Sequence, residues 1–424
     1  MRTCCTRCYA CCLASNTPPD ALTTRQLAES SGPSLYPYFL TVFGTSAGLA
    51  SIIVLLAELR DELGFSETGI GLTISSGFGA AFLAALVMAP HADRGRAPLM
   101  LRTGLVMAVL AMVLLAVGET LWQYIVGRAL FGFALGTAGP AARRTVIVAD
   151  PVNLGQNIGR LGAWNVGGFV AGPMIAAGLE AVGGFRFTFW AMAATLAVLC
   201  PLAFRAQPDT AARDHEGLGL RGLLRIKGLV GALFVVAAYF VFIGAFEAVW
   251  ILEMDHRGAS QVVLSISVTL AALPIALLAP MGGVLAQRHG VRRWSVGGLI
   301  TIAFMTGFFG VVPGLAWMVA LTTATAVVEG FTFPSAPMLV AASVTADRQA
   351  SAQGLANAIE VATGAVSALL LAMVYDVHGN LVTWVITAAA MAILLVIGAI
   401  LTRPKDRRPI KPDTPDNLIR RTVQ

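Results

Sequence analysis

Charged side chains are scarce in this sequence. Asp, Glu, Lys and Arg make up 12% of the residues, roughly half the share that a soluble domain carries. Hydrophobic residues make up 57%, so the chain has too little polar surface to cover a globular core. This shortage excludes an ordinary soluble protein, and it predicts an outer face that contacts lipid.

Cysteine is nearly absent from the body of the chain. Cys200 is the sole cysteine after residue 12, and it lies in an apolar run where we expect it to pack. The first twelve residues hold the other five, in a spacing that contains CxxC. Because no second pair of ligands follows, we interpret this segment as a disordered tail, with acylation or metal binding as the alternatives.

A catalytic centre is not predicted either. The five histidines fall between the apolar runs, and the GxG-like patterns lie inside those runs, away from any βαβ context. We therefore expect no enzyme activity, no cofactor, no resident metal and no nucleic-acid site.

Long apolar runs dominate what remains. Each is near the 20 residues that a helix needs to cross a bilayer. The twelve predicted spans are 37–57, 68–89, 99–118, 121–141, 161–182, 186–204, 229–251, 260–286, 295–312, 315–338, 353–375 and 380–402. The domain prediction is a disordered tail over 1–35, six-helix bundles over 36–204 and 229–402, a linker over 205–228 and a basic tail over 403–424.

The basic residues predict the orientation of these spans. Three lie in one set of loops, namely Arg60, Arg186 and Arg257, against fifteen in the other set. The fifteen are Arg94, Arg96, Arg102, Arg143, Arg144, Arg160, Arg205, Arg213, Arg221, Arg225, Lys227, Arg288, Arg292, Arg293 and Arg348. The positive-inside rule places the fifteen, and both termini, in the cytoplasm. An aromatic belt is predicted at the outer face, from Trp122, Trp190, Trp250, Trp317 and Trp384.

An internal repeat relates the two halves. Three pairs of residues are each 194 positions apart: Arg94 and Arg288, Pro140 and Pro334, and Trp190 and Trp384. They match span two to span eight, span four to span ten and span six to span twelve. We expect duplicated bundles related by an axis along the membrane normal, as in transporters built from parallel repeats.

Two loop motifs carry a family resemblance. The loop after span two reads Ala89-x-x-x-Asp93-Arg94-Gly95-Arg96, and the loop after span eight reads Gly283-x-x-x-Gln287-Arg288-x-Gly290-x-Arg292-Arg293. Both resemble the G-x-x-x-D-R-x-G-R-R/K motif of the major facilitator superfamily, at matching places in the two halves. The resemblance covers residues 36–403 and implies an all-α membrane fold of twelve helices in two pseudo-symmetric bundles.

Spans four and five strengthen the resemblance. Span four contains Arg128-x-x-x-Gly132, similar to the R-x-x-x-G motif of the family. Span five contains Gly159, Gly168, Gly172 and Pro173, in a spacing that resembles the motif of drug–proton antiporters. Small residues four apart permit close helix approach, and a proline permits a kink. We interpret these four residues as a packing and hinge segment.

Four ionisable residues lie inside predicted spans, where a charge costs several kcal/mol. They are Arg128, Glu247, Glu329 and Glu360. We expect them to line a central cavity and to couple substrate movement to a carboxylate that alternates between its protonated and ionised forms. Hydrogen bonding between neighbouring helices is the structural alternative for each.

The loop after span two also predicts a gate. With the cytoplasmic side closed, Asp93 is expected to meet Arg143, Arg144 or the positive N-terminal end of span eleven. The second copy offers Gln287, so the latch should differ between the halves. The predicted cytoplasmic gating residues are Asp93, Arg94, Arg96, Arg143, Arg144, Gln287, Arg288 and Arg292.

These patterns predict a secondary transporter, with proton-coupled efflux of small amphipathic compounds as the main hypothesis. A proton symporter or facilitator for a nutrient or metabolite is the alternative, and a non-transporting receptor is a third. The expected partners are a small-molecule substrate, protons and the bilayer, without nucleic acid, for a monomer. Of the 29 basic residues, 26 are Arg, a bias that suggests a GC-rich bacterial genome and therefore an inner, plasma membrane.

Overall fold

The computed structural model describes residues 34–204 and 220–403. It therefore covers little of the predicted tails and linker. Its long helices are α1 Tyr36–Leu63, α2 Glu67–His91, α3 Ala97–Val117, α4 Leu121–Ala149 and α5 Leu154–Phe204 in the first half. The short α6 Leu220–Leu223 precedes α7 Lys227–His256, α8 Gln261–His289, α9 Val291–Phe308, α10 Gly314–Thr332, α11 Ser335–Ala342 and α12 Gln349–Leu401. No strand occurs within these described ranges.

Lipid explains why the apolar runs become helices. A backbone that crosses the hydrocarbon core must satisfy its own hydrogen bonds, and a helix does so within one segment. Seven helical stretches in the described residues are long and apolar enough to cross a membrane. Three of them have about twice the length that one crossing needs, at 49, 51 and 56 residues.

Glycines interrupt each of the three double-length stretches. The positive φ values are 81° at Gly95, 76° at Gly184 and 75° at Gly379. Glycine adopts such a φ at little cost because it has no Cβ. Each stretch therefore makes two crossings. With α1 and α9 added to the single crossings, the described residues contain the twelve predicted transmembrane helices.

The repeat read from the sequence is also present in three dimensions. Gly95 and Gly290 both have positive φ and are 195 positions apart, as are Gly184 and Gly379. Close helix contacts repeat as well. Gly104 packs against Ala138 in the first half, and Gly298 packs against Thr332, both shifted by 194 positions, in the second.

Each half forms its own bundle. In the first, α2 and α3 pack on α4, and α3 packs on α5; in the second, α12 packs on α7 and α10 packs on α8. The halves contact each other along two seams. The first seam joins α5 to α8. The second seam joins α2 and α4 to α12, in its part before Gly379.

Arginines fasten the last helix of each bundle. The Arg102 guanidinium donates hydrogen bonds to the carbonyls of Ala203 (3.4 Å) and Phe204 (3.1 Å), at the end of α5. Arg292 contacts the corresponding end of α12, donating to the Ala399 carbonyl (2.8 Å) and to Thr402 (3.1 Å). Cations stabilise these positions because the last carbonyls of a helix carry partial negative charge.

Three of the five tryptophans of the predicted aromatic belt are exposed, and two are not. Trp122, Trp190 and Trp317 are exposed, as a lipid interface requires, but Trp250 and Trp384 are fully buried in the second bundle. Trp250 donates a hydrogen bond to the Ser267 hydroxyl at 3.1 Å. Their positions at helix ends suggested an interface, but α7 and α12 turn these two rings inward.

Candidate functional site

The arginine-rich turns gather at one end of the molecule, which we call the basic end. It contains the turn Ala92–Arg96, the junction between α4 and α5, the junction between α8 and α9, and the start of α12. Both seams between the bundles carry their polar contacts here. Among the predicted gating residues, Arg94, Arg96 and Arg288 are exposed, and Arg292 is half-buried.

Asp93 clasps the second seam. Its carboxylate accepts hydrogen bonds from Arg144 Nη1 (2.7 Å), from the Ala350 amide (2.8 Å), and from the amide (2.7 Å) and hydroxyl (2.5 Å) of Ser351. Asp93 is buried and Arg144 is fully buried. The structure thus brings Asp93 to Arg144 and to the N-terminus of α12, where the helix dipole favours a negative charge.

Arg143 clasps the same seam through a different acid. Its guanidinium binds Glu360 of α12 in a two-pronged ion pair, with distances of 3.1 Å and 3.3 Å. Their side chains are 28% and 13% exposed. Glu360 was expected to line a central cavity; in the structure its carboxylate also forms this ion pair across the seam. This pairing joins residues 217 positions apart, which sequence spacing alone does not reveal.

Gln287 clasps the first seam. Its side-chain oxygen accepts from the Gly155 amide (2.7 Å), and its nitrogen donates to the Val152 carbonyl (2.8 Å). Gly155 lies at the start of α5, so the first seam repeats the geometry of the second with a neutral amide. Asp150 shapes this turn, and hydrogen bonds from Asn153, its side chain foremost, hold the pKa of Asp150 below its ordinary value.

Glycines allow the bundles to touch at this end. A Cβ on Gly159 would overlap the Ala279 carbonyl oxygen of α8. On the second seam, a Cβ on Gly354 would lie against the Ala85 carbonyl oxygen of α2 at 2.5 Å. These contacts are related by the internal repeat. They show that backbone atoms of one bundle pack directly against backbone atoms of the other at the basic end.

The predicted hinge glycines divide between two roles. Gly159 lies on the seam between the bundles, whereas Gly168 and Gly172 pack against the Phe43 and Ala47 carbonyls of α1, inside the first bundle. Pro173 lies inside α5, whose backbone leaves helical geometry at Gly184. The hinge role of Pro173 stays a prediction.

A buried carboxylate lies near the middle of the second bundle. Glu329 of α10 accepts a hydrogen bond from the hydroxyl of Tyr239 on α7, and both residues are buried. The Tyr239 ring meets Phe240 and Phe333 edge to face, with centroids 5.3 Å and 6.1 Å apart. The pair is therefore an acid and a phenol inside an aromatic wall.

The other two predicted acids lie around the same tyrosine. Glu247 and Glu360 both interact electrostatically with Tyr239. The Glu247 side chain is exposed, whereas Glu329 is buried. Of the three acids, Glu329 contacts the phenol directly, whereas Glu360 is bound to Arg143 at the basic end.

Arg128 stands apart from these acids, in the first bundle. It is 1% exposed, and none of its three guanidinium nitrogens has a hydrogen-bond partner among the described residues. The guanidinium carbon lies 5.5 Å from the centre of the Phe78 ring. A Cβ on Gly77 would lie 2.8 Å from that carbon, so the guanidinium packs closely against the glycine.

Sequence reasoning missed a polar cluster at the opposite end of α7. Buried Glu253 pairs with Arg257 and accepts a hydrogen bond from the Tyr375 hydroxyl at 2.8 Å. His256 Nδ1 contacts the same hydroxyl at 2.8 Å. The predicted span ended at residue 251, before this acid, although Glu253 and Arg257 have the i, i+4 spacing of a helical ion pair.

Metal chemistry finds no support in the part of the chain that the structure describes. That part contains no group of three or more His, Cys, Asp or Glu side chains able to hold a metal ion. The cysteine-rich segment over residues 4–12 lies outside the described residues, so its predicted alternatives stay untested.

Comparison with known proteins assigns the family. The family profile described as Major Facilitator Superfamily matches residues 38–254 and 228–423. The chain belongs to the major facilitator superfamily.

Similar proteins agree with this assignment. The chain is 31% identical to the multidrug resistance protein MdtG of Proteus mirabilis. The match covers 61% of this chain and 68% of that protein. The chain is 26% identical to the class D tetracycline resistance protein of Salmonella ordonez, over 73% and 81% of the two chains. The human organic anion transporter MFSD10 (TETRAN) has the same fold, with a TM-score of 0.73 at 16% identity, over 86% of this chain and 100% of that one.

Proposed function

We propose that this protein exports small amphipathic compounds, including drugs, in exchange for protons. The observation that carries the proposal is the position of the buried Glu329–Tyr239 pair, in a molecule whose two bundles are clasped at the basic end. Relatives whose names denote multidrug and tetracycline resistance support export as the direction of transport. The substrate is moved without chemical change.

Alternating access follows from two rigid bundles joined by breakable seams. While Asp93 and Gln287 hold the basic end closed, substrate in the centre can exchange only with the opposite side. Breaking these contacts lets the bundles separate at the basic end. Each clasp consists of a few hydrogen bonds, worth about 0.5–1.5 kcal/mol each when neutral and more when charged, so each can break without unfolding a bundle.

The central acid suits proton coupling. A carboxylate among aromatic rings is costly to ionise without a partner, and the Tyr239 hydroxyl is such a partner. The aromatic wall offers apolar contact to a drug-like molecule, and the three acids favour cationic or neutral compounds. Arg128 supplies the opposing charge in the first bundle.

We infer that the basic end faces the cytoplasm of a bacterium, with the protein in the inner membrane as a monomer. The positive-inside rule supports this orientation. Both termini then lie in the cytoplasm. The 1–35 tail, the 205–228 linker and the 403–424 tail are proposed as cytoplasmic segments flanking the bundles over 36–204 and 229–402.

The test uses purified protein in inside-out vesicles with an imposed pH gradient. Labelled tetracycline and ethidium serve as probes, and a pH-sensitive dye records proton movement. Accumulation of either probe in vesicles with an acidic lumen, together with proton efflux, is the expected result. Glu329→Gln should abolish this accumulation, while the exposed Glu119→Gln should retain it.

Four results would contradict the proposal or a part of it. Accumulation driven by an alkaline lumen would favour the symporter hypothesis, since substrate and proton would then move together. Movement of probe without dependence on the gradient, or full pH dependence in Glu329→Gln, would remove proton coupling through this acid. Binding of probes without any flux would favour the receptor.

A further inference from the structure

Glu360 occupies a position between the gate and the central acid. On one side it binds Arg143 of the first bundle through both carboxylate oxygens. On the other side it interacts electrostatically with Tyr239, whose hydroxyl donates to Glu329. One side chain therefore belongs to the clasp between the bundles and also interacts with the tyrosine that holds the proposed proton site.

The chemistry of the ion pair makes it sensitive to a proton. An ionised carboxylate accepts both guanidinium hydrogen bonds, whereas a protonated one carries an O–H donor that arginine, which has no acceptor, cannot receive. The pair is also partly buried, with Glu360 13% exposed, so solvent and salt screen it less than a surface pair. Neutralising Glu360 thus removes the attraction that holds Arg143 to α12.

We propose that Glu360 is the residue through which a bound proton opens the basic end. This inference rests on the proposed function for its role in transport, whereas the response of the gate to a proton on Glu360 is tested separately. While the basic end is closed, a proton arriving through the Glu329–Tyr239 region binds the Glu360 carboxylate. Arg143 is released and the bundles separate. The proton then leaves Glu360 for solution at the basic end, and no other covalent bond forms or breaks.

Other charged groups lie near this point. Asp93 and Arg144 lie beside the pair on the same seam; burial raises the pKa of Asp93, while its four hydrogen bonds act in the opposite direction. Glu360 accepts its hydrogen bonds from Arg143 alone among the described side chains. Glu247 and Glu329 are the other acids that interact electrostatically with Tyr239.

The experiment measures the width of the basic end as a function of pH. Spin labels are placed at Val152 and His289, which are exposed and belong to opposite bundles at this end. The full-length protein, with its cysteines replaced, is studied in lipid nanodiscs. We expect a short distance at alkaline pH and a longer one at acidic pH, with the open-to-closed ratio changing by roughly fivefold or more.

Variants identify the residue responsible. Glu360→Gln should give the long distance at both pH values, and the matched control Asp376→Asn, an exposed acid on the same helix, should behave as wild type. Glu360→Asp keeps a titratable group and should restore a pH-dependent distance. Exchanging the partners in Arg143→Glu/Glu360→Arg should restore the short distance at alkaline pH, which a role in folding alone would not predict.

The outcomes separate this inference from the proposed function. A wild-type pH response in Glu360→Gln, or its loss in Asp93→Asn alone, would overturn the role of Glu360 while leaving proton-driven accumulation intact. A distance that depends on pH and Glu360, in a protein that shows no proton-driven accumulation, would instead overturn only the proposed function. Glu329→Gln should lose accumulation but keep the response of the gate to pH.

Discussion

Asp93 and Gln287 are 194 positions apart, and each accepts a hydrogen bond from a backbone amide at the start of a helix in the opposite bundle. Asp93 holds α12 with a full charge, whereas Gln287 holds α5 with a neutral amide. The two seams at the basic end therefore share a geometry but differ in strength, because charged hydrogen bonds are roughly twice as strong as neutral ones.

Removing the charge at Asp93 should loosen the gate. In Asp93→Asn the buried Arg144 loses its counter-charge but keeps its hydrogen bond to the Ala346 carbonyl. We expect the closed conformation to lose about 2–4 kcal/mol. Transport should slow, while the Kd for tetracycline should change by less than about threefold. Distance measurements at the basic end and equilibrium binding check this, with Glu119→Gln as the control. Loss of binding with an unchanged gate would contradict it.

The neutral clasp should matter less. Gln287→Ala removes two uncharged hydrogen bonds and should weaken the closed state by about 1–2 kcal/mol, less than Asp93→Asn. Gln287→Glu keeps the acceptor for Gly155 but loses the donor for Val152, so its effect should be smaller still. The same spin-label distances rank the three variants, and an equal or larger opening in Gln287→Ala would show that the seams do not differ as described.

The main-chain contacts between the bundles leave no room for a methyl group. Gly159→Ala would drive a Cβ into the Ala279 carbonyl, and Gly354→Ala would press one against Ala85. Each should destabilise the closed basic end by about 1–3 kcal/mol and lower the rate of transport.

Gly139→Ala is the matched control, because a Cβ there meets nothing within 4 Å. It should stabilise α4 by roughly 0.5–1 kcal/mol, since alanine favours a helix more than glycine does. Comparable loss of transport in the control and in Gly159→Ala would refute a specific role for the seam.

Arg128 should show opposite effects on stability and on function. A buried cation without hydrogen-bond partners is destabilising, so Arg128→Met should raise the free energy of unfolding by about 1–4 kcal/mol while transport falls by about tenfold or more. Chemical unfolding in detergent and vesicle transport measure the two effects. The exposed Arg186→Met should change neither. A lower free energy of unfolding in Arg128→Met would show that the guanidinium stabilises the folded protein, which contradicts the prediction.

Most of the fold is predictable from the sequence because lipid imposes a simple rule on each crossing. Apolar length gives the twelve helices, and the 194-residue offset gives the duplication. The ends of helices are less predictable. α5 begins at Leu154 and α7 extends to His256, beyond the predicted limits of 161 and 251, since polar residues continue a helix wherever protein rather than lipid surrounds it.

The site is less predictable because its pairs cross between bundles. The motif around Asp93 indicates a gate, and the structure brings this acid to Arg144 and the start of α12. Hydropathy marks Glu360 as an intramembrane acid but does not reveal Arg143 as its partner. The burial of Trp250 has the same origin, because the face that a helix turns inward depends on its neighbours.

The arginines that fasten the ends of the bundles bear on how the protein is made. Arg102 contacts the carbonyls of Ala203 and Phe204, all within the first half. These two contacts can therefore form once residue 204 has been synthesised, before the second half exists. Arg292 repeats the arrangement at Ala399 and Thr402, so each half can complete its own assembly during biosynthesis and dock afterwards.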